Sequence, residues 1–155
     1  MGSSQDNALI RLYGAGWAFP LRFTPPVHHG TATDSTVGMS AGADNVAQSL
    51  AMLFQTQPGE RIMRPSYGCD LQSAVFMNIA EGALAALRHR IAESVARHEP
   101  RAQEVDVDVQ ADRTQAGTVH IVVNYRLAGL AQQLSGRLSL MDNPDGGSTW
   151  AISSL

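Results

Sequence analysis

Lysine is absent from the 155-residue chain, and its eleven basic residues are all arginines set against fourteen acidic ones, for a net charge of −3. A chain with that balance lacks the cationic surplus needed to hold a phosphate backbone, which excludes nucleic-acid binding as the main task. Cysteine occurs once, at Cys69, so no internal disulfide forms and nothing requires an oxidising compartment. Aromatics make up only 6% of residues, thin for a sugar-stacking cleft. No apolar run approaches the roughly 18 residues that span a bilayer, and the opening MGSSQD carries neither a basic start nor an apolar core, so neither membrane insertion nor a signal peptide is expected. At 16.6 kDa the length suits one domain that would bury roughly 68–70% of its unfolded surface.

Glycine and proline punctuate the first forty-odd residues, at Gly14, Gly16, Pro20, Pro25, Pro26, Gly30, Gly38 and Gly42, where only short extended pieces are expected. Leu9–Tyr13 reads as one such piece. Trp17, Phe19, Leu21 and Phe23 alternate as a strand face that would dock on a body formed later in the chain. His28 and His29 are adjacent and lack an acidic or cysteine neighbour, so they read as solvated loop residues rather than metal ligands.

Regular periodicity begins after Ala43. Asp44 is placed to cap a helix in which Val46, Leu50, Leu53 and Phe54 form one apolar stripe, stopped by Gln57-Pro58-Gly59. A longer helix is expected over Ala80–His98, with Leu84, Leu87, Ile91 and Val95 on one face and Pro100 beyond its end. From residue 103 the period changes to two. Val105, Val107 and Val109 alternate with Glu104, Asp106 and Asp108; after a loop at 112–117, Val119, Ile121, Val123, Tyr125 and Leu127 align inward; Leu134, Leu138 and Leu140 follow a turn at Ala128-Gly129. The fold class is α+β, with two or three helices on a small, mainly antiparallel sheet and an extended N-terminal arm. The expected divisions are an arm at 1–43, a domain at 44–141 and a tail at 142–155. The strands predict a three-stranded meander with an uncovered outer margin, and 148–155 reads as a loosely held end.

Between the helices lies GERIMRPSYGCDL, residues 59–71, the densest cluster of charge, glycine and proline in the chain. Gly59 and Gly68 permit unusual backbone angles, Pro65 fixes one dihedral, and Arg61 and Arg64 carry planar forks suited to carboxylates. On the residues alone this is a charged connector containing a Glu60–arginine pair, or a docking loop. The run also resembles the hallmark of the gene 25-like family of contractile-tail baseplate proteins. It is preceded by Gln55-Thr56-Gln57-Pro58 and followed by Val75-Phe76; Gly14–Leu21 and Val122–Tyr125 are similar to the family's opening and late strand. The resemblance covers about residues 12 to 140.

That resemblance implies a structural baseplate protein of a contractile injection particle, present in several copies, joining wedge proteins and starting the tail sheath by strand exchange. It implies sheath and wedge proteins as partners, with tube or hub proteins as further candidates, and assembly in the cytoplasm. Glu60, Arg61, Arg64 and Pro65 match the motif as partner-binding residues, with Gly59, Tyr67 and Gly68 shaping the loop. No catalytic residue, metal or cofactor is implied. The Gly-Glu-Arg form of the loop favours a phage-like or extracellular particle over type VI secretion. A free strand margin would be the seat for a visiting strand, and Glu104, Asp106 and Asp108 are either a solubilising face or a contact for basic partners.

The competing reading is a lysozyme-like hydrolase. Two carboxyl groups flanking a cleft are required, about 5–5.5 Å or 6.5–9.5 Å apart, one kept protonated by apolar cover. Glu60 and Asp70 are the available pair, but the arginines following Glu60 favour an ionised carboxylate. Cys69 with His89 or His98 supplies no geometry for nucleophilic catalysis, and Gly14-Ala15-Gly16 lacks the third glycine of a dinucleotide loop.

Overall fold

The computed structural model describes residues 4–24, 36–71, 73, 81–115, 117–139 and 149–153. The chain divides into two compact units, Met1–Gln48 and Ser49–Leu155, with the boundary inside a helix.

In the first unit, helix α1 (Ser4–Tyr13) precedes strands β1 (Ala15–Trp17), β2 (Phe23–Thr24), β3 (Thr36–Val37) and β4 (Met39–Ala41). Antiparallel pairs form between β1 and β4, with Trp17 opposite Met39, and between β2 and β3, with Phe23 opposite Val37. Gly38 links the pairs: its carbonyl accepts from Ala18 N and its amide donates to the Arg22 carbonyl. Gln48 fastens the bend between β1 and β2, accepting from Phe19 N and donating to the Trp17 carbonyl. Two expectations for this arm change. Leu9–Tyr13 is helical rather than extended, because five residues cannot separate the two periods and the helix draws on the polar residues before them. The alternating run from Trp17 to Phe23 is two strands broken around Pro20, and its aromatic residues are exposed rather than docked.

Helix α2 (Gly42–Gln55) crosses into the second unit. It starts two residues before Asp44, which therefore lies in the first turn, where its charge favours the helix dipole, rather than at the cap. Val46, Leu50, Leu53 and Phe54 are all buried, as the stripe predicts. In α3 (Glu81–His98), Leu87, Ile91 and Val95 are buried and Leu84 is half-buried.

Strands β5 (Gln103–Ala111), β6 (Thr118–Leu127), β7 (Leu130–Ser139) and β8 (Thr149–Ser153) form an antiparallel sheet in that order, and α3 packs on β5. Val119, Ile121, Val123 and Leu127 on β6 are 0% exposed, each contributing about 1.5–3 kcal/mol by burial. The β6–β7 turn places Ala128 and Gly129 at φ 48° and 81°, the paired positive angles of a tight hairpin whose twist matches its strands. In the β5–β6 loop, Asp112 accepts from Thr114 Oγ1 (2.6 Å), His120 Nε2 (2.7 Å), Thr114 N and Gln115 N, and these bonds hold its carboxyl well below the usual range.

The meander has four strands, not three. β8 pairs with β7 from Gln133 opposite Ser153 to Arg137 opposite Thr149, so one of the two margins of the expected meander is covered and most of the expected loose end is a strand. His28-His29, Val75-Phe76, Ala80, Leu140 and the loop 141–147 lie outside the described residues.

Candidate functional site

The segment from Pro58 to Asp70 forms a self-bonded loop. Its entry is set where α2 ends: Thr56 N donates to the Leu53 carbonyl and Thr56 Oγ1 to the Met52 carbonyl. Gln57 N donates to Glu60 Oε2 at 3.0 Å while Glu60 N donates to the Gln57 carbonyl at 3.1 Å, so Glu60 closes the first turn. Gly59 N donates to the Pro65 carbonyl at 2.7 Å, joining the two sides of the loop. Arg64 N to the Arg61 carbonyl and Tyr67 N to the Arg64 carbonyl build two successive turns within it.

Gly68 is fixed by space as well as by angle. Its φ is +133°, and a Cβ there would sit 2.4 Å from the Thr56 carbonyl oxygen and 2.8 Å from Gln57 C. This close approach lets Cys69 N donate to the Thr56 carbonyl at 3.0 Å, while Ser94 Oγ on α3 donates to the Gly68 carbonyl at 2.9 Å.

The arginines divide in role. Arg61 lies 4.4 Å from the centroid of the Tyr67 ring, a cation–π contact, and that ring meets His98 edge-on at 5.3 Å. Burial pushes the Tyr67 hydroxyl up, against the opposing charge of Arg61. Arg64 is exposed and forms no ion pair among the described residues. The Glu60–arginine pair of the connector reading is likewise not formed among them: Glu60 is spent on the Gln57 amide. The structure thus unites Gly59, Glu60, Arg61, Arg64, Pro65, Tyr67 and Gly68 in one element.

Sequence reasoning missed the tip. Ile62 and Met63 are 95% and 91% exposed, held between Arg61 and Arg64. The available signal was two adjacent large apolar residues in a segment with no helix or strand period to bury them.

Beside the loop, an open groove of about 300 Å³ is lined in part by Pro58, Ser66, Asp70, Arg90, Glu93 and Arg97. Its carboxylates face arginines: Asp70 to Arg90 at 3.6 Å and Glu93 to Arg97 at 2.8 Å. Arg90 also donates to Ser73 Oγ. Burial pushes the Cys69 thiol up to about 11, the opposite of an activated nucleophile. No cluster of three or more metal-ligating side chains occurs among the described residues. No helix among them is long and apolar enough to cross a membrane.

Residues 40–131, which include this whole loop and the first two sheet strands, match the family described as baseplate wedge protein gp25. The chain belongs to the gp25 baseplate wedge family. It is 28% identical over 109 residues to baseplate wedge protein gp25 of Enterobacteria phage T4, covering 70% of this chain and 72% of that one. A chain in the six-fold symmetrised baseplate of the anti-feeding prophage is 44% identical, with a TM-score of 0.65, covering 74% of this chain and 86% of that one. A Geobacter sulfurreducens protein described as a tail lysozyme is 25% identical, with a TM-score of 0.61, covering 67% and 96%. Two of these relatives are thus baseplate proteins, and the third carries the name of a lysozyme.

Proposed function

We propose that this gp25-family chain is a structural baseplate component of a phage-tail-like contractile particle. Its loop at 58–70 joins wedge proteins, and its sheet starts the sheath by strand exchange. The observation that carries this reading is a loop ordered by its own backbone bonds that displays Arg64, Ile62 and Met63 to solvent. A preformed loop loses little entropy on docking, and a cation beside bare aliphatic carbon is the composition of an interface anchor. The partner surface that fits is an apolar cleft rimmed by carboxylates. The 44% identity to a chain of an anti-feeding prophage baseplate supports a phage-like or extracellular particle, with several copies assembled in the cytoplasm.

The lysozyme reading draws only on the description of one relative. A glycosidase acid needs apolar cover, whereas Asp70 and Glu93 in the groove face arginines and Glu60 is exposed on a turn. Arg64→Glu should leave the fold intact while particles from the variant lack a completed baseplate and sheath, seen by electron microscopy. Glu60→Gln should not change peptidoglycan turnover from the background of a buffer control. Turnover by the wild type that Glu60→Gln removes would establish the enzyme instead.

A further inference from the structure

Arg61 and Arg64 sit in one loop, and neither forms an ion pair among the described residues, yet the structure treats them differently. The Arg61 guanidinium lies over the Tyr67 ring, 4.4 Å from its centroid. That ring is anchored to the body of its unit. His98, the last residue of α3, meets it edge-on at 5.3 Å, and Tyr67 is half-buried. The backbone beside it is fixed as well: Tyr67 N donates to the Arg64 carbonyl at 3.0 Å, and the Gly68 carbonyl accepts from Ser94 Oγ of α3 at 2.9 Å. Tyr67 is therefore a post standing against α3, with Arg61 resting on its face.

The tip has less to hold it. Arg64 N to the Arg61 carbonyl, at 3.1 Å, closes the turn that carries Ile62 and Met63. Both side chains are more than nine-tenths exposed, so they bring no burial to fix the direction of that turn. Gly59 N to the Pro65 carbonyl closes the base of the loop but lies outside the turn. A turn held by its own bond can still swing about its base as a unit. The Arg61–Tyr67 stack ties it to α3, and a cation over an aromatic face is worth roughly twofold to thirtyfold in population, rising as the pair is desolvated.

We propose that Arg61 is a positioning residue: stacked on Tyr67, which α3 braces through His98 and Ser94, it sets the direction in which Ile62, Met63 and Arg64 face a wedge protein, and it leaves charge recognition to Arg64. This rests on the loop-docking reading above and divides the motif residues by role. A tip already turned in its docking direction binds without first having to find it. Apparent affinity falls with the fraction of chains whose tip points elsewhere.

The test uses the full chain and the purified wedge proteins of the same particle, with the order of the Ile62 and Met63 amides read by nitrogen relaxation. In the wild type both should match the amides of β6, with an order parameter of about 0.85. Tyr67→Leu removes the ring face and Arg61→Gln the cation. In each, the two tip amides should fall below about 0.6 while those of β6 stay unchanged. Tyr67→Phe keeps the ring face and should behave as wild type. Adding Arg61→Gln to Tyr67→Leu should loosen the tip no further. Tyr67→Leu leaves every charge in place, so long-range steering is unaltered. It should nonetheless slow association with the wedge protein roughly threefold or more, because fewer chains present the tip correctly. Tip amides that stay ordered in both Tyr67→Leu and Arg61→Gln would overturn the assignment alone, as would a Tyr67→Leu chain that is loose at the tip yet associates like wild type. A wild-type tip that is ordered, loosens in the variants and binds no wedge protein would overturn the loop-docking reading and leave the stack as what holds the tip.

Discussion

The loop at 58–70 and strand β6 use the same kinds of large aliphatic side chain for opposite ends. Ile121 is 0% exposed and Ile62 is 95% exposed. The strand holds its place through what its side chains bury; the loop holds its shape through backbone bonds such as Gly59 N to the Pro65 carbonyl and through the missing Cβ of Gly68. The atoms that order the loop and the side chains it displays to solvent are therefore different ones. A side chain can be changed at the loop tip without touching what orders the loop, whereas in β6 the side chain is the ordering element.

The sharpest test of that contrast is Ile121→Ala. Deleting buried methyl groups where β5 and β7 both flank the site should cost about 2–5 kcal/mol, read from urea denaturation with an unchanged m-value. A comparable loss from Ile62→Ala would break the comparison.

Glu99 joins the two regimes, being a buried carboxylate just beyond α3. Burial pushes its pKa up, but hydrogen bonds from Arg101 at 2.6 and 2.7 Å and from Ser49 prevail, and the net shift is downward. A carboxyl with a depressed folded pKa stabilises fully above its unfolded value of about 4.3, and the contribution fades as pH falls through the lower folded value. Glu99→Gln should cost about 1.5–3 kcal/mol at pH 7, with a gap to wild type that narrows below about pH 4. Asp112, also shifted down, is present in both proteins, so the difference between their pH profiles isolates Glu99. A gap constant from pH 7 to 3 would show that Glu99 acts through packing alone.

Much of the sheet was legible because burial imposes a period. The odd residues of β6 and the α2 stripe were visible as patterns, and all of them are buried. What escaped has no period of its own. α1 contributes mostly exposed residues, with Leu9 its one buried side chain among those described. β8 is five residues long and exists as a strand through its pairing with β7, which composition does not encode. The loop residues were picked out by resemblance and by residue type, yet their bonding was not. The neighbouring charges suggest an arginine as the partner of Glu60, yet in the structure it accepts from an amide, because a turn brings the Gln57 donor within 3.0 Å at no cost in side-chain reach.

Gly68→Ala tests whether backbone geometry carries the loop. Its Cβ would meet three backbone atoms of Thr56, Gln57 and Pro58 within 3.0 Å, so none of the three can yield by a rotamer change. The positive φ alone costs about 1–3 kcal/mol for a residue other than glycine. The variant should unfold earlier in urea and lose the hydrogen-exchange protection of the Cys69 amide, while amides of β6 keep theirs until global unfolding. Equal loss in both places would mean that loop and sheet form one cooperative element and do not divide the work.

The smallest expected change in stability belongs to the double substitution Ile62→Ser, Met63→Ser. Both side chains are more than nine-tenths exposed, so replacing them should shift unfolding by no more than about 0.5 kcal/mol in either direction. The unfolded chain exposes the same two aliphatic groups, so their removal changes both states nearly alike. Binding should respond differently: if the tip enters an apolar cleft, removing both anchors lowers wedge-protein capture by at least about 2 kcal/mol, near thirtyfold. Because Arg61 and Arg64 remain, so does the long-range charge attraction, and the loss should fall on the dissociation rate, with association nearly unchanged. A variant that docks as tightly as the wild type would leave the arginines as the anchors and return Ile62 and Met63 to bystanders.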